Sequence, residues 1–394
     1  MAIQQLEIRG FRSLQDVTWK PGALNVLIGP NGAGKSNLLR VLVLIKRAAE
    51  GKLSETIKDM DGITALLWDG RAKEIELRLL AVPSNDLDKY PRSTLDYELH
   101  LDPMGRSSAF RVERETLVNF HRPDDDGVVK FIERTPGRTI MWNQEKKGLE
   151  SKAELYNGAE TLLAQVSDPA NYPVQTDFRR QLTDYQVYHD VPVDVNAEMR
   201  RAALLRYEKR VEPYGSNLIN VLHTLYTTDR AFKAELNNAM LAAFGPDFEE
   251  LVFPPAEDDR IQLRIRWRSL EREQSARDLS DGTLRFLFLI TVLGATDLPP
   301  VLAIDEPEAG LHPGMLPIVA EFAAEAARRT QVILTTHSPQ FLNAFKEQAD
   351  IATLVDWESG KTVLRRPEQA YLARWLEHYQ LGDLWMSGEL ESRE

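Results

Sequence analysis

The sequence predicts an α/β protein, a mixed sheet core with flanking helices, interrupted by a compact, mainly helical insert. Three observations lead there. A short apolar strand, "ALNVLIG" at 23–29, runs through a glycine-rich loop straight into a helical stretch at 35–49, where Leu38, Leu39, Leu42 and Ile45 recur at helical spacing. Late in the chain "PVLAID" reads as a central strand, "MLPIVAEFAAEAARRT" as a helix and "QVILTTHS" as a further strand. Between these halves, from roughly 120 to 250, the turn clusters "HRPDDDG", "RTPGR" and "SDPANYP" separate short elements ahead of helical stretches at 175–185 and 216–243.

In order along the chain, "IQQLEIRGFRSLQDVTW" alternates apolar and polar residues, predicting a strand, a turn at Gly10 and a second strand. "EIELRLLA" at 74–81 and "LDYELHLD" at 95–102 pair in one sheet that "FRVERETLVN" continues. "IQLRIRWRSL" returns to strand alternation, "LRFLFLITVLGA" reads as a buried helix and "IATLVDW" as a last strand. The expected division is an N-terminal lobe at 1–115, the insert at 116–249 and a C-terminal lobe at 250–394.

Bulk composition narrows the function. The 394 residues carry a formal charge of −12, so only a local basic patch could contact nucleic acid. With no cysteine, disulfides, thiolate metal sites and a cysteine nucleophile are excluded. The N-terminus lacks a basic segment followed by an apolar run, and the longest apolar stretches, such as "FLFLITVLGA", are about ten residues, about half a membrane span. A soluble, cytoplasmic protein is expected.

The chemistry begins at "GPNGAGKS", which fits G-x-x-x-x-G-K-[ST] at Gly29, Gly34, Lys35 and Ser36. Glycines let successive N–H groups converge on an anion, Lys35 adds a full charge, and the helix N-terminus adds its dipole. Asn31, Gly32, Gly34, Lys35, Ser36 and Asn37 are therefore the expected nucleotide contacts, with the Ser36 hydroxyl offered to Mg²⁺. "VLAIDEPE" at 301–308 is an apolar strand ending in acids, the Walker B form: Asp305 holds Mg²⁺ and Glu306 polarises the attacking water. "DLSDGTLR" at 278–285 supplies a second anion site, Ser280 and the N–H of Gly282, at the start of a helix. "VILTTHS" places His337 at a strand end within reach of a γ-phosphate.

The order Walker A, "LSDG" signature, Walker B, "EAGLH" loop and switch histidine is that of ABC ATPases. The sequence resembles the RecF/SMC-like branch, with "IRGFRSL" similar to the opening of those heads. "LSDGTLRFL", "DEPEAGLHP" and "TTHSPQFL" resemble the AAA_21 and OLD-like (overcoming lysogenisation defect) ATPases, and "ITALLWDG", "VSDPANYP", "YQVYHD" and "YGSNL" extend the likeness over most of the chain. The resemblance implies a P-loop ABC-type ATPase head that uses ATP and Mg²⁺. It places Arg12 near the nucleotide and sets the signature of one subunit over the ATP of another, in a homodimer that nucleotide opens and closes. There are departures. Residues 41–143 contain no glutamine for the loop that usually senses Mg²⁺ and water, and Gln144 falls in turn-like sequence. Asp281 replaces the usual signature glycine, and His312 the usual aspartate.

These features predict Mg²⁺-dependent, slow ATP hydrolysis, in the ATPase or sensor subunit of a DNA-linked defence or repair system with a separately encoded effector. The class-distinct alternative is a scaffold that holds ATP without turnover and assembles a partner protein. Only 57 residues follow His337 and none forms D-x-D, so a Toprim nuclease is not expected. "EMRRAALLRYEKR" at 198–210 gathers five basic residues that either meet a phosphate backbone or form a solvated face. Tyr185, Tyr188 and Trp142 are expected to pack.

Overall fold

The computed structural model describes residues 1–82, 94–105, 109–120, 128–151, 157–345, 349–367 and 379–388. It divides into two compact units, 1–185 with 353–366 and 186–352 with 367–394.

The first unit is built on an antiparallel sheet. Strands β1 (Ala2–Phe11) and β2 (Leu14–Trp19) form its first hairpin. The expected turn at Gly10 lies two residues later, at Arg12 and Ser13. Gly10 stays within β1 at φ +74°, and a Cβ there would meet the Glu74 carbonyl at 2.3 Å, so close backbone approach rather than chain reversal explains this glycine. Next come β3 (Leu24–Ile28), wholly buried, and helix α1 (Lys35–Glu50), bracketed by left-handed glycines, Gly34 at φ +105° and Gly51 at φ +77°. Its face of Leu38, Leu39, Leu42 and Ile45 is buried as the spacing predicts. Short helices α2 (Leu53–Asp59) and α3 (Ile63–Leu66) follow.

The sheet then grows by β4 (Ile75–Val82), β5 (Leu95–Pro103) and β6 (Phe110–Phe120), each antiparallel to the one before, with β4 beside β1. Here the chain departs from expectation. The insert opens with strands, not helices: β7 (Val128–Thr135), β8 (Arg138–Asn143) and β9 (Gly148–Ser151) extend the same sheet to eight strands. Ile132 and Met141, opposite each other in the register, are buried on one face and Phe131 and Ile140 on the other, which paired strands supply and isolated turns would not. Helices α4 (Leu162–Gln165) and α5 (Pro173–Thr183) complete this stretch.

The second unit starts with β10 (Gln186–Tyr188). Small strands β11 (Ala203–Leu204), β12 (Phe248–Val252), β13 (Pro255–Ala256), β14 (Arg260–Ile261), β15 (Arg264–Trp267) and β16 (Gln274–Ser275) form two three-stranded sheets. The long helix expected at 216–243 is two, α6 (Leu218–Thr228) and α7 (Arg230–Phe244). Asp229 breaks it: in extended conformation, its carboxylate accepts the N–H groups of Ala231 and Phe232 at 3.0 and 3.1 Å and caps α7. Helix α8 (Asp281–Gly294) is buried on nearly every face from Thr283 on, as a core helix must be when apolar all round. Strand β17 (Val301–Asp305), helix α9 (Leu316–Ala327), strand β18 (Gln331–Thr336) and helix α10 (Pro339–Asn343) follow. β17 is parallel to both β10 and β18, and β17 and β18 are buried throughout. Strand β19 (Ala352–Glu358) leads back to the first unit, where it lies beside β3 and pairs antiparallel with β20 (Lys361–Arg365). No helix among the described residues is long and apolar enough to cross a membrane.

Candidate nucleotide site

In the first unit the loop from β3 to α1 is shaped by glycines that cannot be replaced. A Cβ on Gly29 would sit 2.0 Å from the Val355 carbonyl oxygen. One on Gly34 would sit 2.0 Å from Thr362 Oγ1 and 2.7 Å from Ser13 Oγ. Gly32 also has positive φ (+83°) but faces open space. The loop is supported from outside. Thr362 donates its hydroxyl to the Ala33 carbonyl (2.8 Å), accepts from the Ser13 hydroxyl (2.7 Å), and donates its N–H to the Ser13 carbonyl (2.9 Å). Asn37 donates to Ser13 Oγ at 2.8 Å and accepts from Arg40 at 3.1 Å.

The Lys35 ammonium is buried and bonds back to the loop carbonyls of Gly29 (2.7 Å) and Pro30 (3.0 Å). Asn31 and Gly32 are exposed, Ser36 and Asn37 half-buried. Arg12 has positive φ (48°), and its N–H binds the Leu66 carbonyl at 2.7 Å. Burial, then the charge of Arg40, holds its guanidinium below the usual arginine range, and its buried Nε meets no hydrogen-bond acceptor among the described residues. A left-handed glycine loop at a helix N-terminus, with a lysine and two coupled arginines in the same unit, is a donor set suited to a polyphosphate.

In the second unit the acids at the end of β17 are held by side chains from both flanking strands. Register explains it. Tyr188 stands opposite Ile304 on one side and Thr335 opposite Asp305 on the other, so His189, the next residue after β10, comes alongside Asp305. Thr335 Oγ1 donates to Asp305 Oδ1, and His189 Nδ1 contacts Asp305 Oδ2. His189 Nε2 faces Asp190 at 2.8 Å. Glu306 has a left-handed backbone at φ 45°, a conformation costing on the order of 1 kcal/mol for a side chain of this kind. Both its peptide groups are pinned: its N–H donates to Thr335 Oγ1 and its carbonyl accepts from Arg285, each at 3.1 Å. The Glu306 carboxylate meets His337 Nδ1 at 3.0 Å.

Glu308 is buried behind them. It accepts from the Thr336 hydroxyl and the His337 N–H, while Oε2 has no hydrogen-bond partner among the described residues. Burial raises its carboxyl above the ordinary glutamate range, against the lowering effect of those hydrogen bonds. Burial likewise lowers Arg285, despite the attraction of Glu308, Glu306, Asp190 and Asp305. Oxygen donors with this density of negative charge suit a hard divalent cation.

The signature turn lies in the same unit. Ser280 caps α8, its Oγ accepting from Thr283 N at 3.1 Å, yet it remains exposed, as does Asp281. Gly282 is required by packing, since a Cβ would come 2.7 Å from the Gly310 carbonyl of the loop after β17. The departure at Asp281 has a partner: the buried Arg200 guanidinium bonds it and also the carbonyls of Leu279 (2.6 Å), Asp194 (2.9 Å), Val193 (3.0 Å), Ala276 and Arg277 (3.2 Å each). His312 has a local task, its Nδ1 accepting from Gly314 N at 3.1 Å.

Of the residues expected from sequence, Arg12, Asn31, Gly32, Gly34, Lys35, Ser36 and Asn37 lie in the first unit, and Asp305, Glu306 and His337 meet in the second alongside Ser280 and Gly282 of its signature turn. Sequence reasoning missed His189, Thr335, Glu308 and Arg200. His189, Thr335 and Glu308 fall inside stretches that carry the resemblance, "YQVYHD", "TTHSPQFL" and "DEPEAGLHP", but nothing in the string assigns them these contacts. The basic run at 198–210 loses two of its members to structure, Arg200 to the signature turn and Arg210 to Asp297 at 2.8 Å. Gln144 lies exposed in the β8–β9 turn. Tyr185 and Tyr188 are buried, and Trp142 is half-buried.

Residues 24–343 match the family described as "AAA domain, putative AbiEii toxin, Type IV TA system" (AAA_21). The chain belongs to that family. This AAA_21 protein is 21% identical to an OLD nuclease of Thermus scotoductus over 88% of its own length, but spans only 61% of that relative. It is 21% identical to an ATP/GTP phosphatase of Helicobacter pylori, with 86% of each chain covered. Among solved structures it resembles an Smc head bound to the C-winged helix domain of ScpA, with TM-score 0.55, 17% identity and coverage of 94% of this chain and 99% of that one. That likeness shows the fold, that of an Smc head.

Proposed function

We propose that this AAA_21 protein binds and slowly hydrolyses ATP with Mg²⁺, and that two copies close over the nucleotide and separate after hydrolysis. The loop at 29–36 holds the phosphates through backbone N–H groups and Lys35, with Arg12 and Arg40 balancing further charge. Ser36 and Asp305 hold the Mg²⁺, which when bound neutralises phosphate oxygens. Glu306 takes a proton from the attacking water, and His337, in contact with that carboxylate, orients it and faces the γ-phosphate. Ser280 and Gly282 of one copy cover the triphosphate of the other, drying the site and strengthening every charge interaction in it.

The observation that carries the reading is Glu306. Its strained backbone is fixed through both peptide groups while its carboxylate meets His337 at 3.0 Å, an arrangement a solvated acidic turn has no reason to maintain. Exposure of Ser280 and Asp281 supports capping by a second copy. The similarity to an OLD nuclease and the toxin description of the family support a place in a DNA-linked defence or repair system, with the effector carried by another chain.

Glu306→Gln tests it. Phosphate release falls at least 100-fold, and an ATP-dependent dimer accumulates in size-exclusion chromatography with light scattering. A variant that stays monomeric at saturating ATP refutes the sandwich. A wild-type rate at buffer background, with and without DNA, refutes hydrolysis and leaves an ATP-bound scaffold.

A further inference from the structure

We infer that His189 is a positioning residue for the metal-holding carboxylate: from the end of β10, its imidazole fixes Asp305 so that the carboxylate presents itself to a divalent cation in one orientation. The inference rests on the proposed ATPase reading and extends it to a residue outside the motif set.

The argument starts from register. A carboxylate at a strand end rotates freely about its terminal torsion unless both oxygens are engaged. Asp305 has a neighbour on each side, Thr335 of β18 on Oδ1 and His189 on Oδ2. Its side chain is largely buried, so solvent does not substitute for either partner. His189 is itself aligned, because its second nitrogen faces Asp190 at 2.8 Å and β10 is paired residue by residue with β17 up to Tyr188. Asp190 has positive φ (50°), a conformation Asp tolerates better than most, and it directs the chain away immediately after the histidine.

Groups that orient a metal-binding carboxylate from behind act on metal affinity more than on substrate affinity, by about 10- to 100-fold. Lys35 and its glycine loop belong to the other compact unit. An effect of His189 that runs through Asp305 and the cation leaves metal-free nucleotide binding unchanged.

The test measures Mn²⁺ binding by electron paramagnetic resonance in the presence of adenylyl-imidodiphosphate, and nucleotide binding in EDTA by calorimetry, with phosphate release alongside. The variants are His189→Ala, His189→Asn and His189→Gln, with thermal melts to establish that each is folded. Loss of the imidazole in His189→Ala weakens Mn²⁺ about tenfold or more, lowers kcat and leaves metal-free nucleotide affinity unchanged. Asn places an amide nitrogen close to the position of Nδ1, so His189→Asn recovers most of the metal affinity and His189→Gln, which reaches further, recovers less.

Unchanged Mn²⁺ affinity in His189→Ala overturns this inference and leaves the ATPase reading intact. So does an asparagine variant no better than alanine. A wild-type protein that binds neither nucleotide nor nucleotide-dependent Mn²⁺ overturns the ATPase reading, and this inference with it.

Discussion

The phosphate loop of the first unit and the acidic strand end of the second reach precision by opposite means. The loop is a backbone object. Its shape comes from glycines whose missing Cβ atoms leave room for Val355, Thr362 and Ser13, and most of its internal contacts span only a few residues. The acidic end is a side-chain object, assembled from residues far apart in the chain, 116 positions for His189 on Asp305 and 81 for Arg200 on Asp281 of the signature turn. Perturbing the first should damage binding while sparing the fold. Perturbing the second should reach into stability.

Arg200 gives that contrast its largest expected effect. Its guanidinium is buried against five carbonyls and Asp281, tying residues 193–194 to 276–281. Arg200→Met keeps the bulk and removes the donors, leaving buried carbonyls unpaired at roughly 1–3 kcal/mol for each that water cannot reach. A loss of about 3 kcal/mol or more in urea unfolding is expected, with the signature turn more open to proteolysis. A loss below about 1 kcal/mol would mean that the turn holds itself.

This difference also decides what the sequence discloses. "GPNGAGKS" is legible because a tight anion-binding turn demands glycine at set positions, and glycine is visible in a string. "VLAIDEPE" and the histidine of "TTHS" are legible because burial on both faces leaves an apolar run that ends abruptly in charge. His189 was not, because its role comes from β10 pairing with β17 in one register, and a three-residue edge strand carries no periodicity. Arg200 reads as one more cation in a basic run until its acceptors are seen. Strands β7–β9 were hidden by the turns between them, since "RTPGR" marks a hairpin as readily as a loop. Asp229, an N-cap inside an otherwise continuous apolar pattern, split one expected helix into two.

The loop offers a matched pair of smaller effect. Gly34→Ala forces a Cβ to within 2.0 Å of Thr362 Oγ1 at φ +105°, whereas Gly32→Ala places one at φ +83° with nothing within 4 Å. Both incur left-handed strain, about 1 kcal/mol, but only Gly34→Ala must also push β20 away from the loop. Adenylyl-imidodiphosphate affinity should fall by more than 100-fold for Gly34→Ala and by less than tenfold for Gly32→Ala, with melting temperatures close to wild type for Gly32→Ala. Equal losses would mean that backbone conformation alone, and not the support from Thr362, shapes the cradle.

Glu308 supplies the smallest effect and the one with a sign. Burial raises its carboxyl above the ordinary 4.5, so the folded state holds this proton more tightly than the unfolded chain. The stabilising contribution of that proton is fully present below pH 4.5 and is lost as pH rises through the raised folded value. Glu308→Gln cannot ionise, and its amide oxygen still accepts from Thr336. The stability of wild type relative to Glu308→Gln should therefore decline from acid toward neutral pH, by about 1 kcal/mol, the size of one net hydrogen bond, in urea unfolding at matched pH. A difference that is flat, or that grows toward neutral pH, would mean that the hydrogen bonds from Thr336 and His337 outweigh burial, making Glu308 a settled anion beside His337 rather than a carboxylate that pays for its position.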